Sequence, residues 1–167
     1  MILVSACLLG HKVKYNGGSN DHALLQKYNA RGRFVAVCPE CFGRLPVPRT
    51  PMEIRYGTGR KVLEDRAKIV DAEGHDLTAA MRLGAEKVLR IAETYHAETA
   101  ILKDGSPSCG VHRIYDGSFT GTKIRGTGVT AALLQQHGLT VYSEEDMTPD
   151  RLEELIAEDI RRDNHRL

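Results

Sequence analysis

A chain of 167 residues, 41% of them hydrophobic, has the size and apolar content of one folded domain, and a single domain over residues 1–167 is expected. Its 23 basic and 22 acidic side chains leave a formal charge of only +1. No global field therefore marks it for DNA, RNA or an anionic membrane surface.

The chain begins MILVSACLLGHKVKYNGG, an apolar stretch too short to cross a bilayer and lacking both a basic leader and a small-residue cleavage site. The expectation is a cytoplasmic protein. In that reducing compartment four cysteines point to metal binding or catalysis rather than to disulfides.

Ile2–Ser5 reads as a buried strand that feeds a loop containing Cys7, Gly10 and Asn16–Gly17–Gly18. Ser19 suits the N-cap of a helix over Asp21–Tyr28, whose Leu24, Leu25 and Tyr28 share one face and which Gly32 ends. Phe34–Val37 is a second strand, stopped by Cys38–Pro39 because proline brings no N–H to a ladder. Pro46, Pro48 and Pro51 then impose an extended loop. Residues Glu53 to Glu64 alternate around Tyr56–Gly57–Thr58–Gly59, which predicts a small hairpin.

Leu77 to His96 repeats its apolar positions every three or four residues and is the long helix of the chain. A third strand, Thr99–Leu102, leads into a glycine- and serine-rich loop from Lys103 to Gly110. Residues 113–128 read as irregular. Val129–His137 is a short helix closed by Gly138, Leu139–Tyr142 a fourth strand, and an amphipathic helix starts at Thr148–Pro149. Strands alternating with helices define an α/β domain: a Rossmann-like three-layer sandwich, its sheet mainly parallel, with helices on both faces.

In such a sheet ligands bind at the edge where the strands end, near the point where strand order reverses. Cys7, Cys38 and Cys109 each follow a predicted strand, beside Gly10, Gly43, Gly105 and Gly110, so residues distant in sequence converge on that edge. One buried cysteine is commonly just a small hydrophobe, but three in strand-end loops form a candidate site. Cys41 adds a CxxC, which also suits a zinc site or thiol–disulfide chemistry. The other cysteines form no second close pair, and three prolines follow where a thioredoxin-like helix would run. Thiolates are the usual ligands of iron–sulfur clusters, and three on a four-iron cube leave one iron open. A fourth ligand from Cys41 would favour electron transfer or a structural role instead.

The segments VSACLLG with KYNGG, CPE followed by GRLPVPRTPMEI, LKDGSPSCG, YDGSFTG with GTGVTAALL, and YSEE occur in that order. Together they resemble the thiouracil desulfidase (TudS) family, long catalogued as a domain of unknown function, from about Ile2 to Glu144. The resemblance implies a [4Fe-4S] cluster on Cys7, Cys38 and Cys109, whose open iron takes the sulfur of 2-thiouracil while water attacks the carbon and uracil and hydrogen sulfide leave. Cys41 is then an extra thiol, inert or a spare ligand.

Hydrolysis of C=S needs a base to activate water, and Glu40, two residues after Cys38, is the first candidate. Ser106 and Ser108 are candidates for holding the pyrimidine edge or the water, and Lys103 for stabilising developing charge. Asn16 and Arg49 are candidate substrate-binding groups, and Glu144 a further acid. The seven histidines show no metal-ligand spacing, and Gly105–Gly110 lacks the lysine of a phosphate loop. The expected partners are a small thiolated nucleobase and proteins that deliver the cluster, with no membrane or DNA and RNA disfavoured. Two other readings stand beside this one: a non-catalytic metal or sulfur carrier, and a desulfidase acting on thiolated tRNA through Lys12 with Lys14 or Lys123 with Arg125.

Overall fold

A computed structural model describes residues 1–167. Four strands, β1 (Ile2–Ser5), β2 (Phe34–Val37), β5 (Thr99–Leu102) and β8 (Thr140–Ser143), form one sheet in the order β2-β1-β5-β8. All its pairings are parallel, with Ile2 opposite Phe34 on one side and Thr99 on the other. The chain first builds outward from β1 to β2, then returns to β5 on the other side of β1. The reversal of strand order therefore falls between β1 and β5.

Alternate residues of these strands face opposite layers, as the two-residue period of a strand requires. Leu3, Val37, Ala100 and Leu102 pack with Val88 and Ala92 of α4 (Thr78–Thr94) and with Ala131 and Leu134 of α5 (Val129–Gln136). Ile2, Val4 and Ile101 pack on the other side with Leu25 of α1 (Ala23–Asn29) and with Leu152, Leu155 and Ile156 of α6 (Pro149–Arg166). The expected three layers, with helices on both faces of a parallel sheet, are thus the observed ones.

Beside the sheet stand two antiparallel hairpins. In the first, β3 (Met52–Arg55) pairs with β4 (Lys68–Asp71), and helix α3 (Gly59–Leu63) is inserted between them. In the second, β6 (Arg113–Tyr115) pairs with β7 (Lys123–Arg125). Met52, Ile54, Ile69 and Ile114 form a third apolar cluster with Met81 and Ala85 of α4. One long helix therefore carries the hairpins on its first half and the sheet on its second.

Several details differ from the sequence expectation. Helix α1 begins at Ala23, capped by His22, whose Nδ1 accepts from the Leu25 N–H at 3.3 Å. Ser19 instead donates its hydroxyl to Asp21 at 2.6 Å, so it is spent locally and does not cap. The strand after Glu53 does not turn back at Tyr56–Gly59; it finds its partner only beyond α3, at 68–71. Residues 113–128, expected to be irregular, contain β6 and β7.

The CxxC does open a helix, contrary to the argument from the prolines. Cys38 is the N-cap of the single-turn α2 (Pro39–Phe42), with proline at the first helical position, where its missing N–H costs nothing. Helix α2 lies on α4 with no side chain between them. A Cβ on Gly84 would stand 2.0 Å from the Pro39 carbonyl oxygen, and one on Gly43 would stand 2.3 Å from that of Ala80.

Candidate active site

The strand ends of β1, β2 and β5 open into a cavity of about 410 Å³, roofed by β3 and the second hairpin. Cys7 reaches it from the 3₁₀ turn Ala6–Leu9 after β1, Cys38 from the N-cap of α2, and Cys109 from the loop after β5. Cys109 is the deepest at 4% exposed. Burial pushes all three thiols above the ordinary cysteine range. The Glu40 carboxylate raises Cys38 and Cys109 further, and Cys109 also senses the negative charge of Cys7 and Cys38.

Three buried thiols beside a carboxylate become thiolates together only when positive charge enters among them, which is what a metal centre supplies. The one set of three His, Cys, Asp or Glu side chains whose ligand atoms all lie within 4.8 Å is Asp71, Glu73 and His75, and none of these lines the cavity. At least one pair of the cavity sulfurs is therefore farther apart than the roughly 3.8 Å separation that 2.3 Å bonds impose around a tetrahedral zinc. A donor set of three spaced thiolates fits a multi-iron group, in which each cysteine binds its own iron.

Around the sulfurs sit the polar groups. Glu40 lies beside Cys38, whose Sγ donates to Oε2 at 3.5 Å, and Ser106 donates its hydroxyl to Glu40 Oε1 at 3.4 Å. Arg49 also lines the cavity. Its guanidinium donates to the carbonyls of Val13 at 2.9 Å and Pro46 at 3.2 Å, while its buried Nε has no partner. Lys103 lines the cavity too, pairing with Glu144 at 3.2 Å and donating to the Asp104 carbonyl at 2.8 Å. Glu144 is buried behind that lysine.

Ser108 and Asn16 do not line the cavity. Ser108 is fully buried with its hydroxyl 2.6 Å from that of Thr130, so it ties the loop to α5. Asn16 is exposed and accepts the Gly18 N–H at 2.9 Å, closing its own turn. Cys41 is outside the lining as well; its backbone N–H and its thiol both engage Cys38.

Among the lining residues that the sequence reading missed are Asn20, Ser5, Glu53 and Asp104. Asn20 lines the cavity and hydrogen-bonds Cys7, which eases that thiol's ionisation. Ser5 hydrogen-bonds Cys109 to the same effect and accepts the Lys103 N–H at 2.9 Å. Glu53, 8% exposed, accepts from the Gly117 N–H at 2.9 Å and the Phe119 N–H at 3.2 Å, fastening the second hairpin to the first. Asp104 is buried at the start of the Cys109 loop.

A parallel α/β fold that gathers thiolates from separate strand-end loops into one cavity, beside a carboxylate and a hydroxyl, belongs to the class that builds a metal–sulfur centre at the strand-order reversal. The chain is a member of the 2-thiouracil desulfurase family, whose model matches residues 2–146. It is 47% identical over 147 residues to the Bacillus subtilis (strain 168) protein YbbK, itself described as uncharacterized, covering 88% of this chain and 97% of the relative. Among solved structures it matches the [4Fe-4S]-dependent thiouracil desulfidase TudS with a TM-score of 0.78 and 42% identity, covering 94% of this chain and 95% of that one.

Proposed function

We propose that this chain is an iron–sulfur-dependent desulfidase that converts 2-thiouracil, or a closely related thiolated pyrimidine, and water to the oxo base and hydrogen sulfide. Cys7, Cys38 and Cys109 hold a [4Fe-4S] cluster, and Cys41 takes no part. The supporting observation is that three thiols from three loops share one cavity with Glu40 and Ser106, at a spacing too wide for a single zinc. The family and the TudS likeness support the same activity.

When bound, the cluster supplies a thiophilic iron without a protein ligand, a Lewis acid that polarises the C=S bond and accepts the sulfur. Glu40 takes a proton from the attacking water, and Ser106, donating to Glu40 Oε1, fixes the carboxylate that receives it. Glu40 returns that proton to the departing sulfur and the hydroxyl added to the carbon gives up the second, so water's oxygen replaces sulfur, hydrogen sulfide carries both protons and no electrons are exchanged. Arg49 offers its unpartnered Nε–H to a substrate oxygen, which orients the ring. Lys103, pinned by Glu144, adds positive charge near the developing anion. No helix is long and apolar enough to cross a membrane. A reducing cytoplasm, which protects thiolates and the cluster alike, is the compartment this chemistry requires.

The test is anaerobic reconstitution with iron and sulfide, followed by incubation with 2-thiouracil. The expected result is a brown protein that releases one sulfide per uracil formed, with both properties lost in Cys7→Ser, Cys38→Ser and Cys109→Ser and retained in Cys41→Ser. A protein that needs Cys41 but tolerates loss of Cys7 would overturn the ligand set. Stoichiometric sulfide binding without turnover would overturn the enzyme in favour of a carrier.

A further inference from the structure

We propose that Asp104 is a positioning residue whose one carboxylate oxygen closes the loop 105–113 and thereby sets both Cys109 and Ser106. The proposal rests on the desulfidase reading for the roles of those two residues. Asp104 Oδ1 accepts four backbone N–H groups: Gly105 at 3.0 Å, Val111 at 2.9 Å, His112 at 3.0 Å and Arg113 at 3.1 Å. The first belongs to the start of the loop and the other three to its end. A single atom therefore holds the two ends together, with the Gly105 N–H to Arg113 carbonyl bond at 3.1 Å beside it.

What the loop carries distinguishes this anchor from ordinary turn capping. Inside it, Ser106 Oγ accepts the N–H of Ser108 at 3.0 Å and of Cys109 at 3.1 Å. With its acceptor capacity turned to the backbone, the hydroxyl has its proton free to donate to Glu40. The direction of that proton and the depth of the Cys109 sulfur are thus properties of one closed ring of backbone, and Asp104 is its clasp.

The clasp is itself fixed from two strands. The Asp104 N–H donates to Glu144 at 2.9 Å, Lys103 bridges Glu144 and the Asp104 carbonyl, and the Lys103 N–H donates to Ser5. Glu144 follows β8 and Ser5 ends β1, so the pivot is tied to both neighbours of β5. Burial alone would raise the Asp104 pKa, yet the four N–H donors bring it below the ordinary carboxylate value. The ionised form is the one the loop binds.

Asp104→Asn keeps the shape and removes the charge. In the metal-free protein, hydrogen exchange at the amides of Gly105, Val111, His112 and Arg113 is expected to accelerate roughly tenfold or more, the effect of weakening one hydrogen bond to a charged group. The sheet amides of Ala100 and Ile101 should stay protected. Alkylation of Cys109 by iodoacetamide should accelerate relative to Cys7. In the reconstituted protein, kcat should fall by roughly 10²-fold with the KM for 2-thiouracil little changed, as for misplaced catalytic groups. Unchanged exchange at all four amides, or acceleration shared equally with the sheet, overturns the proposal. A wild-type protein inert on 2-thiouracil would remove the activity reading instead, and the exchange and alkylation results would still decide the anchor.

Discussion

The parallel sheet and the two hairpins beside it follow opposite construction rules. Strands β1 and β5 are buried along their whole length, apolar on both faces, and present nothing to solvent. Strand β7 is exposed throughout and carries Lys123 and Arg125. The first region stores stability and brings the three cysteine loops to one edge. The second closes a separate apolar cluster on α4 and supplies the cavity's far wall, including Glu53, Tyr115 and Lys123. Chemistry here sits between a rigid floor and a fastened roof, and the two respond differently to substitution.

Four substitutions sharpen that contrast. On the floor, Glu40→Gln is expected to lower kcat by about 10²–10⁴-fold, the range for losing a general base, while iron content and thermal melting stay as in the wild type. A parallel fall in iron content would make Glu40 part of the cluster's support. In the sheet, Ile101→Ala empties a fully buried site packed against α6 and should destabilise the fold by about 2–5 kcal/mol in urea titrations. In the roof, Glu53→Gln weakens the two bonds to residues 117 and 119 and should cost about 1 kcal/mol. Its main readout is a higher KM for 2-thiouracil at unchanged iron content; an unchanged KM would detach the roof from substrate binding.

The smallest effect is a pH dependence. His112 Nε2 lies 2.8 Å from Asp146 Oδ2, and this hydrogen bond is the main cause of the raised His112 pKa. A raised histidine pKa gives stability that is full below its unfolded value of about 6.5 and is lost as pH climbs through the folded value. Asp146 is shifted down: burial would raise it, but the Ser143 N–H and His112 outweigh that. Its contribution is present above about pH 4 and is lost as pH falls through the folded value. The pair thus stabilises most between about pH 4 and 6.5. His112→Asn should flatten the alkaline side of this window by well under 1 kcal/mol, since both partners are partly exposed. Melting curves from pH 5 to 8 measure it.

The same contrast governs what was legible in the chain. The strands Ile2–Ser5, Phe34–Val37 and Thr99–Leu102 could be read to the residue, because short apolar runs bounded by Cys–Pro, serine or glycine have few other solutions. With them came the cysteine edge. Strands β6 and β7 were invisible: three residues each, RIY and KIR, half of them charged, with a pairing set by the Asp116–Gly121 turn and by Glu53 from elsewhere in the chain. The first hairpin was half legible, since the alternation after Glu53 is real but its partner lies beyond α3. Among site residues, Asn16 and Asn20 are separated only by Gly–Gly–Ser. The Asn–Gly pair is a turn signal, and it was the clue that Asn16 would spend its amide on the turn and leave Asn20 for the cavity. Ser5 and Asp104 carried no local signal, because a serine or aspartate at a strand end is ordinary until the backbone amides it serves are known.

The bare contact between Gly84 and Pro39 has a consequence for how this protein tolerates change. The turn bearing Glu40 rests on the backbone of α4 as a key rests on an anvil, so a single methyl at residue 84 must lift it and tilt the carboxylate away from its serine. In a library of variants that position would score as severely as a residue of the site while touching no substrate, and its intolerance would report the height at which the Glu40 carboxylate is mounted.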